Sequence, residues 1–477
     1  MKTLRVDVAV IGAGTAGLAA YRAAKAAGVS AMVIESGPYG TTCARVGCMP
    51  SKLLIAAGEA AHQIAIAPGF GVHTDGRVRV EGREVMARVR SERDRFVGFV
   101  VRDVERIPEA DRLRGHARFV DHHTLLVDEH TRITAKSIVI ATGSRASYPE
   151  AFKKLGDRLI INDDVFEWTD LPSSVVVIGP GVIGLELGQA LHRLGVRVSV
   201  LGRGGKLGPI ADPAIREEAL AIFGREFPLE PDAHVVGMER EGDQVVISRK
   251  DAQSQTLTER FDYVLAATGR TPNVEGLGLE HTGIDRDAAG VPAFDPTTTQ
   301  TISAAGTSSI FCAGDVSNSI PLLHEAADEG RIAGENAARV ALGKPVCRGL
   351  RRAGLGVVFT DPQIAIVGGG WQALAPGRYA VGQVSFADQG RSRILFRNHG
   401  LLNIYGDIAT GRLLGAEMVG PAAEHIGHLL AWALQNTMTI SQMLEMPFYH
   451  PVIEEGVRTA LRALDAQLRD AAVSKAA

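Results

Sequence analysis

Residues 6–17 read Val6-Asp7-Val8-Ala9-Val10-Ile11-Gly12-Ala13-Gly14-Thr15-Ala16-Gly17. The apolar run predicts a buried β-strand, and the alanine-rich stretch that follows predicts a helix. Between them Gly12, Gly14 and Gly17 have the spacing that allows a tight turn, close approach of backbone to a pyrophosphate, and close packing of helix on strand. A phosphate would sit at the positive end of that helix. The next strand, Ala31 to Ile34, ends in Glu35, 23 residues after Gly12, where a carboxylate can hold a ribose diol. Strand, glycines, helix and acid together predict a Rossmann-like dinucleotide site.

The pattern recurs. Residues 175–184 read Val175-Val176-Val177-Ile178-Gly179-Pro180-Gly181-Val182-Ile183-Gly184, and the strand Arg197 to Leu201 ends at Gly202, again 23 residues after the first glycine. Here the acid is missing and Arg203 follows. Losing a carboxylate removes repulsion against a 2′-phosphate, and an arginine can pair with one. The second site therefore leans toward NADPH over NADH. The blander reading is that Arg203 is a solvated loop residue and the site is unselective. A second repeated element is an apolar strand ending in Ala-Thr-Gly: Ile138 to Ala141 with Thr142 and Gly143, and Val264 to Ala267 with Thr268 and Gly269. Two such folds in one chain suggest two cofactors, one bound permanently and one exchanging.

The chain has four cysteines, two of them in Cys43-Ala44-Arg45-Val46-Gly47-Cys48, followed by Met49-Pro50-Ser51-Lys52. A disulfide closing so small a loop constrains the unfolded chain weakly. It makes more sense as a bond that opens and closes during turnover. If a helix starts near Cys48, Lys52 shares its face and the helix start favours thiolate. Zinc sites need about four ligands, and no second cysteine pair exists, so no metal is expected. Cys312 lies in an apolar strand and reads as packing, and Cys347 has no assigned role.

At 477 residues, 45% hydrophobic and 22% charged, the chain has the composition of a multidomain globular protein. A net charge of −3 gives no electrostatic case for nucleic acid or a membrane surface. The N-terminus runs straight into a strand, without a signal- or transit-peptide pattern. The expected location is the cytoplasm, where structural disulfides are disfavoured.

Taken together, these residues resemble the flavin-dependent pyridine nucleotide–disulfide oxidoreductases of class I, dihydrolipoamide dehydrogenase above all. The resemblance runs from about residue 5 to residue 465. It rests on both fingerprints, Thr42-Cys43 through Cys48-x-Pro50-Ser51-Lys52, both Ala-Thr-Gly strands, Cys312-Ala313-Gly314-Asp315-Val316, Val358-Phe359-Thr360-Asp361-Pro362, and His450-Pro451 with Glu455. It implies that the first fingerprint, Glu35 and Thr42 bind FAD, with Gly115 to Ala117 on the adenine side and Thr142, Gly143, Gly314 and Asp315 completing the site. Lys52 would lie beside the flavin ring, paired with Glu186. Gly179, Gly181, Gly184, Arg203 and Gly269 would serve NAD or NADP. Cys48 would be the flavin-side thiol and Cys43 the interchange thiol. His450, oriented by Glu455, would be the base, acting on the cysteines of the partner in a homodimer.

The implied fold class is α/β, with two Rossmann-like domains and a C-terminal α+β dimerisation domain. The expected parts are an FAD domain at 1–148, an NAD(P) domain at 149–272, a segment at 273–345 that completes the FAD site, an interface domain at 346–466, and a flexible tail at 467–477. The implied activity is a dihydrolipoamide dehydrogenase-like exchange of electrons between NAD(P)(H), FAD, the Cys43–Cys48 pair and a small dithiol. An NADPH-dependent reductase of another disulfide, as in glutathione reductase, is the alternative; a redox-sensing flavoprotein is a third. Thr41 stands where the family has glycine, and Ala44-Arg45 replaces Leu/Val-Asn. With the missing acid at Gly202, these departures leave open whether the substrate is complex-bound lipoamide of a 2-oxoacid dehydrogenase.

Overall fold

A computed structural model describes residues 1–74, 76, 79–251, 253–304, 306 and 308–476. The chain forms two compact units, one made of Met1–Pro50, Arg90–Ser147 and Arg270–Arg351, the other of Ser51–Val89, Tyr148–Gly269 and Arg352–Ala477.

In the first unit the opening apolar run lies in the strand Lys2–Ile11. Val8, Ala9 and Val10 have no exposed surface, as expected of a parallel strand covered on both faces. It pairs in parallel with Ala31–Glu35 on one side and Thr131–Ile140 on the other. Arg112–Arg114 adds an edge beyond Ala31–Glu35. The far side of Thr131–Ile140 is shared: Thr124–Val127 pairs antiparallel with its first half, and Ile310–Cys312 pairs in parallel with its end. Ala117–Asp121 closes that side as the outer strand of a hairpin. The helices Thr15–Ala26 and Leu323–Ala341 cover one face, where Ala20, Ala24, Ala333 and Ala337 pack with Val8, Val10 and Phe311. Each fully buried valine here contributes about 1.5–3 kcal/mol.

The second unit has a parallel sheet in the order Leu229–Glu230, Arg197–Leu201, Ser174–Ile178, Tyr263–Ala266, Leu159–Ile160. The helix Val182–Arg193 follows its central strand. An antiparallel three-stranded sheet, His234–Glu241, Gln244–Lys250 and Thr256–Phe261, belongs to the same unit. After Arg352 comes an antiparallel sheet in the order Leu355–Val358, Gln363–Gly368, Leu413–Gly420, Leu401–Asp407, Tyr379–Ser385. Helices Ala423–Gln435 and Glu455–Ala476 pack on it through Ile426, Leu430, Leu461 and Leu464. The architecture is α/β with two dinucleotide-binding folds and a C-terminal α+β domain.

Residues 51–89 depart from the boundaries expected from the sequence. Leu54, Met86 and Val89 are completely buried in one core with Leu185, Leu187 and Leu191 of the nucleotide fold around Gly179. The segment therefore packs with the second unit although it falls within 1–148. The last helix also continues past residue 466, because Leu468 is still buried against the C-terminal sheet; Ala477 lies outside the described residues. By length and composition the helical stretch Thr42–Phe70 reaches what a membrane crossing needs. The core helix of a globular protein passes the same test; here 17% of the apolar window is buried, Leu54 fully.

Candidate functional site

At the first fingerprint Gly12 has φ +107°, and a Cβ there would lie 2.3 Å from Ala141 O. A Cβ on Gly17 would lie 1.8 Å from Gly12 O, whereas one on Gly14 would meet nothing within 4 Å. Two glycines are thus demanded by packing, and the third opens onto space. Gly14 caps the helix Thr15–Ala26 with no side chain bonded to the first-turn N–H groups, and no acid lies in that turn. Those amides are donors in need of an acceptor, and the helix dipole favours an anion there.

The space is a cavity of about 490 Å³ lined by Gly12, Gly14, Glu35, Thr42, Arg45, Gly115, Ala117, Thr142 and Gly143. Glu35 is fixed over it, Oε2 accepting from Ala13 N at 2.7 Å and Oε1 from Gly37 N at 2.7 Å. A carboxylate at the end of the second strand, free amides at the helix start and a cleft between them fit the ADP half of FAD.

Thr142 and Gly143 are held by residues with no role assigned from sequence. Thr142 Oγ1 donates to Asn273 O at 2.7 Å, and Asn273 Nδ2 donates to Thr142 O at 3.0 Å. Ser144 Oγ donates to Asp315 Oδ2 at 2.8 Å and accepts from Arg270 Nε at 2.8 Å. Gly314 is positioned from behind: its N–H donates to Glu329 Oε2 at 2.9 Å, while Arg351 Nη1 grips Glu329 Oε1 at 3.0 Å. Burial pushes the Glu329 carboxyl up, against those hydrogen bonds. The Arg-Thr-Pro-Asn run after the second Ala-Thr-Gly was the available signal for Arg270 and Asn273. Glu329 and Arg351 left none, since their partners are distant in sequence.

The cysteine segment folds as a short helix, Thr42–Val46, that gives way at Gly47 to the long helix Cys48–Ile66. A Cβ on Gly47 would lie 3.2 Å from Cys43 Cα, so the chain doubles back tightly between the two cysteines. Cys48 is the first residue of its helix, and the positive end of the helix dipole favours negative charge there. Cys43 is half-buried and Cys48 exposed. Thr41 has φ +60° and ψ 154°, a region sparse for a β-branched residue. Its Oγ1 caps the short helix by accepting from Ala44 N at 3.3 Å. Cys312 is fully buried, and that burial raises its thiol far above the ordinary range.

In the second unit Lys52, one turn after Cys48, places Nζ 2.7 Å from Glu186 Oε2 and 4.7 Å from the centre of the Phe359 ring. Glu186 is 4% exposed, and its other oxygen accepts from Phe359 N at 2.9 Å. The second fingerprint repeats the first. Gly179 has φ +111° with Ala267 O 2.3 Å from an added Cβ; Gly184 is closed by Gly179 O at 1.9 Å; Gly181 opens onto space. Gly181 again leaves the first turn of its helix without a side-chain cap. These amides fit a second pyrophosphate. Arg203 is exposed in the loop after Arg197–Leu201, and Gly269 sits at φ +125° where the second Ala-Thr-Gly strand ends.

His450 and Glu455 meet as a pair. His450 Nδ1 lies 3.1 and 3.0 Å from the two Glu455 oxygens. The imidazole is 80% exposed. Val452 N and Arg458 Nη2 bind the same carboxylate at 3.3 and 3.0 Å. The His450 hydrogen bond, then the Val452 amide, hold the Glu455 carboxyl below the usual carboxylate range. With Nδ1 committed to the carboxylate as donor, Nε2 is the nitrogen free to accept a proton.

The family described as "Pyridine nucleotide-disulphide oxidoreductase" matches residues 6–330, and that family's dimerisation domain matches residues 355–461. A dihydrolipoyl dehydrogenase of Thermus scotoductus is 31% identical, the alignment covering 98% of both chains. A mycothione reductase of Mycobacterium tuberculosis is also 31% identical, over 96% of this chain and 99% of that one. Among solved structures, LpdA from Mycobacterium tuberculosis superposes with a TM-score of 0.80 at 23% identity, over 97% of this chain and 99% of that one, a likeness of fold. Matched along almost its whole length, the chain belongs to the pyridine nucleotide–disulphide oxidoreductases, flavoenzymes that work with FAD and a pyridine nucleotide on small disulfides.

Proposed function

We propose that the chain is a dihydrolipoamide dehydrogenase-like enzyme in which Cys43 and Cys48 alternate between disulfide and dithiol. The observation that carries this is the His450–Glu455 pair. A histidine held by a carboxylate through Nδ1, with its ring in solvent, is a base for thiols arriving from outside. A sensor without turnover has no use for it.

In the forward direction a substrate thiol gives its proton to His450 Nε2. The resulting thiolate attacks the sulfur of Cys43, forming a mixed disulfide and breaking the Cys43–Cys48 bond, with Cys48 leaving as thiolate. The second substrate thiol, deprotonated in turn, attacks the substrate sulfur of the mixed disulfide, releasing the oxidised substrate and Cys43 thiolate. Two electrons now reside on the cysteine pair. FAD, which Gly12, Gly14, Glu35 and Thr142 would hold, would supply the two-electron relay from this pair to the nicotinamide nucleotide, leaving the disulfide restored. The start of the helix at Cys48 favours its thiolate, and Glu186 holds Lys52 as a fixed cation, which by the family resemblance would lie beside the flavin ring. His450 acts on the cysteines of the partner in a homodimer.

A reductase of another small disulfide, run from NADPH, is the second reading. The missing acid at Gly202 favours it, and the mycothione reductase relative fits it equally. Steady-state rates with NADH and NADPH, each crossed with lipoamide and glutathione disulfide, separate the two. Turnover of neither disulfide with either nucleotide would remove lipoamide and glutathione as substrates, and absence of turnover with any disulfide would favour the redox sensor. Stopped-flow then tests the base: His450→Ala slows exchange with the dithiol by about 10²–10⁴-fold and leaves nucleotide-driven reduction unchanged. Equal rates in both half-reactions would remove His450 from the mechanism.

A further inference from the structure

The second unit holds a cavity of about 270 Å³ that no residue assigned above to nucleotide, flavin or thiol lines. Three helices end at it. Cys48–Ile66 brings His62 and Ile66, Val182–Arg193 brings Arg193, and Pro213–Glu226 brings Ile222, Arg225 and Glu226. Asp361, Pro362, Phe396, Arg397 and His399 form the remaining wall with Pro421. The helix Val182–Arg193 starts at the second fingerprint, so its 12 residues set the cavity about 18 Å from those amides.

The acids of the lining are already committed. Arg193, 5% exposed, donates from Nε to Glu226 Oε1 at 2.6 Å and from Nη1 to Asp361 Oδ2 at 3.1 Å. Gln189 Nε2 adds a bond to Glu226 Oε2 at 2.7 Å. The guanidinium groups of Arg225 and Arg397 have no hydrogen-bond or ion-pair partner among the described residues. Arg225 stands in the last turn of its helix, whose dipole it offsets in part. Three arginines still face two carboxylates in the lining, a surplus of one positive charge. Burial, then the charge of Arg193, hold His62 below the usual histidine range, so it adds no further charge at neutral pH. Glu59 lies one turn earlier on the same helix, and burial, then Asp361, push its carboxyl up, which weakens it as a counter-charge.

Phe396 is the second, independent observation. The short helix Gly390–Ile394 ends in a Schellman motif: Arg397 N donates to Ser392 O at 2.9 Å and Phe396 N to Arg393 O at 3.1 Å. The residue between helix and loop takes a left-handed conformation there and is usually glycine. Here it is phenylalanine at φ +52°, a conformation costly for a bulky side chain. The ring is 50% exposed, meets Phe70 edge-on at 4.6 Å between centroids and lines the cavity. Strain of this kind gathers at ligand clamps. The strained turn puts an aromatic face and, next in sequence, an unpaired arginine on the same cavity wall.

We propose that this cavity binds a small monocarboxylic acid, its carboxylate on Arg225 and Arg397 and its apolar body against Phe396, Ile66 and Ile222. One anion matches the one surplus charge, and a guanidinium recognises a carboxylate through paired N–H groups. Apolar walls with a few polar groups that fix orientation are what such a ligand requires, and the volume lies just under the range for larger molecules.

The test is calorimetry on the flavin-loaded protein, with octanoate as the probe. Saturable binding of one octanoate per chain is expected, weakening with salt. It should be about tenfold or more tighter than binding of acetate, which lacks the body, or of octylammonium, which reverses the charge. Arg225→Ala/Arg397→Ala should weaken octanoate about tenfold or more. Phe396→Gly should also weaken it, although that change relieves backbone strain, so the loss cannot come from misfolding. Absence of saturable binding, octylammonium bound as tightly as octanoate, or unchanged octanoate affinity in the double arginine variant overturns the proposal. The last result would place the octanoate in the dithiol substrate's own channel. None of these readouts depends on disulfide turnover, so failure with lipoamide leaves them untouched.

Discussion

Replacing Glu186 by glutamine should cost stability in an amount set by two different hydrogen bonds. Its carboxylate is 4% exposed and serves Lys52 Nζ with one oxygen and Phe359 N with the other. Hydrogen bonds to charged groups contribute about 1.5–3 kcal/mol, and removing one partner of a fully buried ion pair costs about 3–5 kcal/mol. Lys52 is 33% exposed, so water recovers part of its loss. Glutamine keeps an acceptor for Phe359 N and forfeits the ion pair, a loss of about 1–2 kcal/mol after that discount. Alanine also strands the Phe359 amide, adding about 1–3 kcal/mol. At roughly 2–4 °C per kcal/mol for a domain of this size, glutamine lowers the melting temperature by about 2–8 °C and alanine by clearly more. The assay is a thermal-melt cycle with Lys52→Met, Glu186→Gln and the double variant, read by circular dichroism. A coupling of about 1 kcal/mol or more is expected. Purely additive losses, or an alanine variant no worse than glutamine, would refute the reasoning, because the pair would then not be acting as one unit.

Glu455 gives a pH test. Its carboxyl is held below the usual range chiefly by His450. A group depressed in the folded state contributes stability above its unfolded pKa and loses it as pH falls through the folded value. The melting-temperature gap between the unmodified protein and Glu455→Gln should be present at pH 7 and close as the solution is taken below about pH 4; a gap that widens on acidification contradicts the assignment. Thr41 sits at φ +60° and also caps the helix bearing Cys43. Thr41→Ala keeps the strain and loses the cap, costing about 0.5–2 kcal/mol, while Thr41→Gly relieves strain of about 1–3 kcal/mol and should be no less stable than threonine. Urea titrations rank the three: an alanine variant equal to glycine would show that Thr41 carries no strain, and one equal to threonine that its hydroxyl is no cap. Iodoacetamide followed by mass spectrometry should label exposed Cys347 in the resting protein, Cys43 or Cys48 only after dithiol reduction, and buried Cys312 only after unfolding. Equal labelling of Cys48 before and after reduction would show that the resting pair is not a disulfide.

What could be read from the sequence was whatever the backbone demands locally. Gly12 and Gly179 announce themselves because each sits at a positive φ with a carbonyl 2.3 Å from where a Cβ would be, and no other residue type meets that demand. His450 and Glu455 are five residues apart and meet across one short turn, so their spacing was enough. Contacts between distant segments left no such trace. The Arg351–Glu329–Gly314 brace joins a linker, a helix and a loop, and the burial of Leu54 and Met86 that draws residues 51–89 into the second unit depends on where other segments lie. Thr41 stands between the two kinds. Its departure from glycine was visible, but the departure alone suggested only divergence. The geometry shows that the position still takes glycine's conformation and that the threonine hydroxyl does something glycine cannot, capping the helix that carries Cys43. A substitution that keeps a costly backbone angle while adding a hydrogen bond beside the reactive thiol is better explained by the cap than by drift. This is why Thr41, more than the equally unusual Arg45, is the place to ask how this chain differs from its relatives around the cysteine pair.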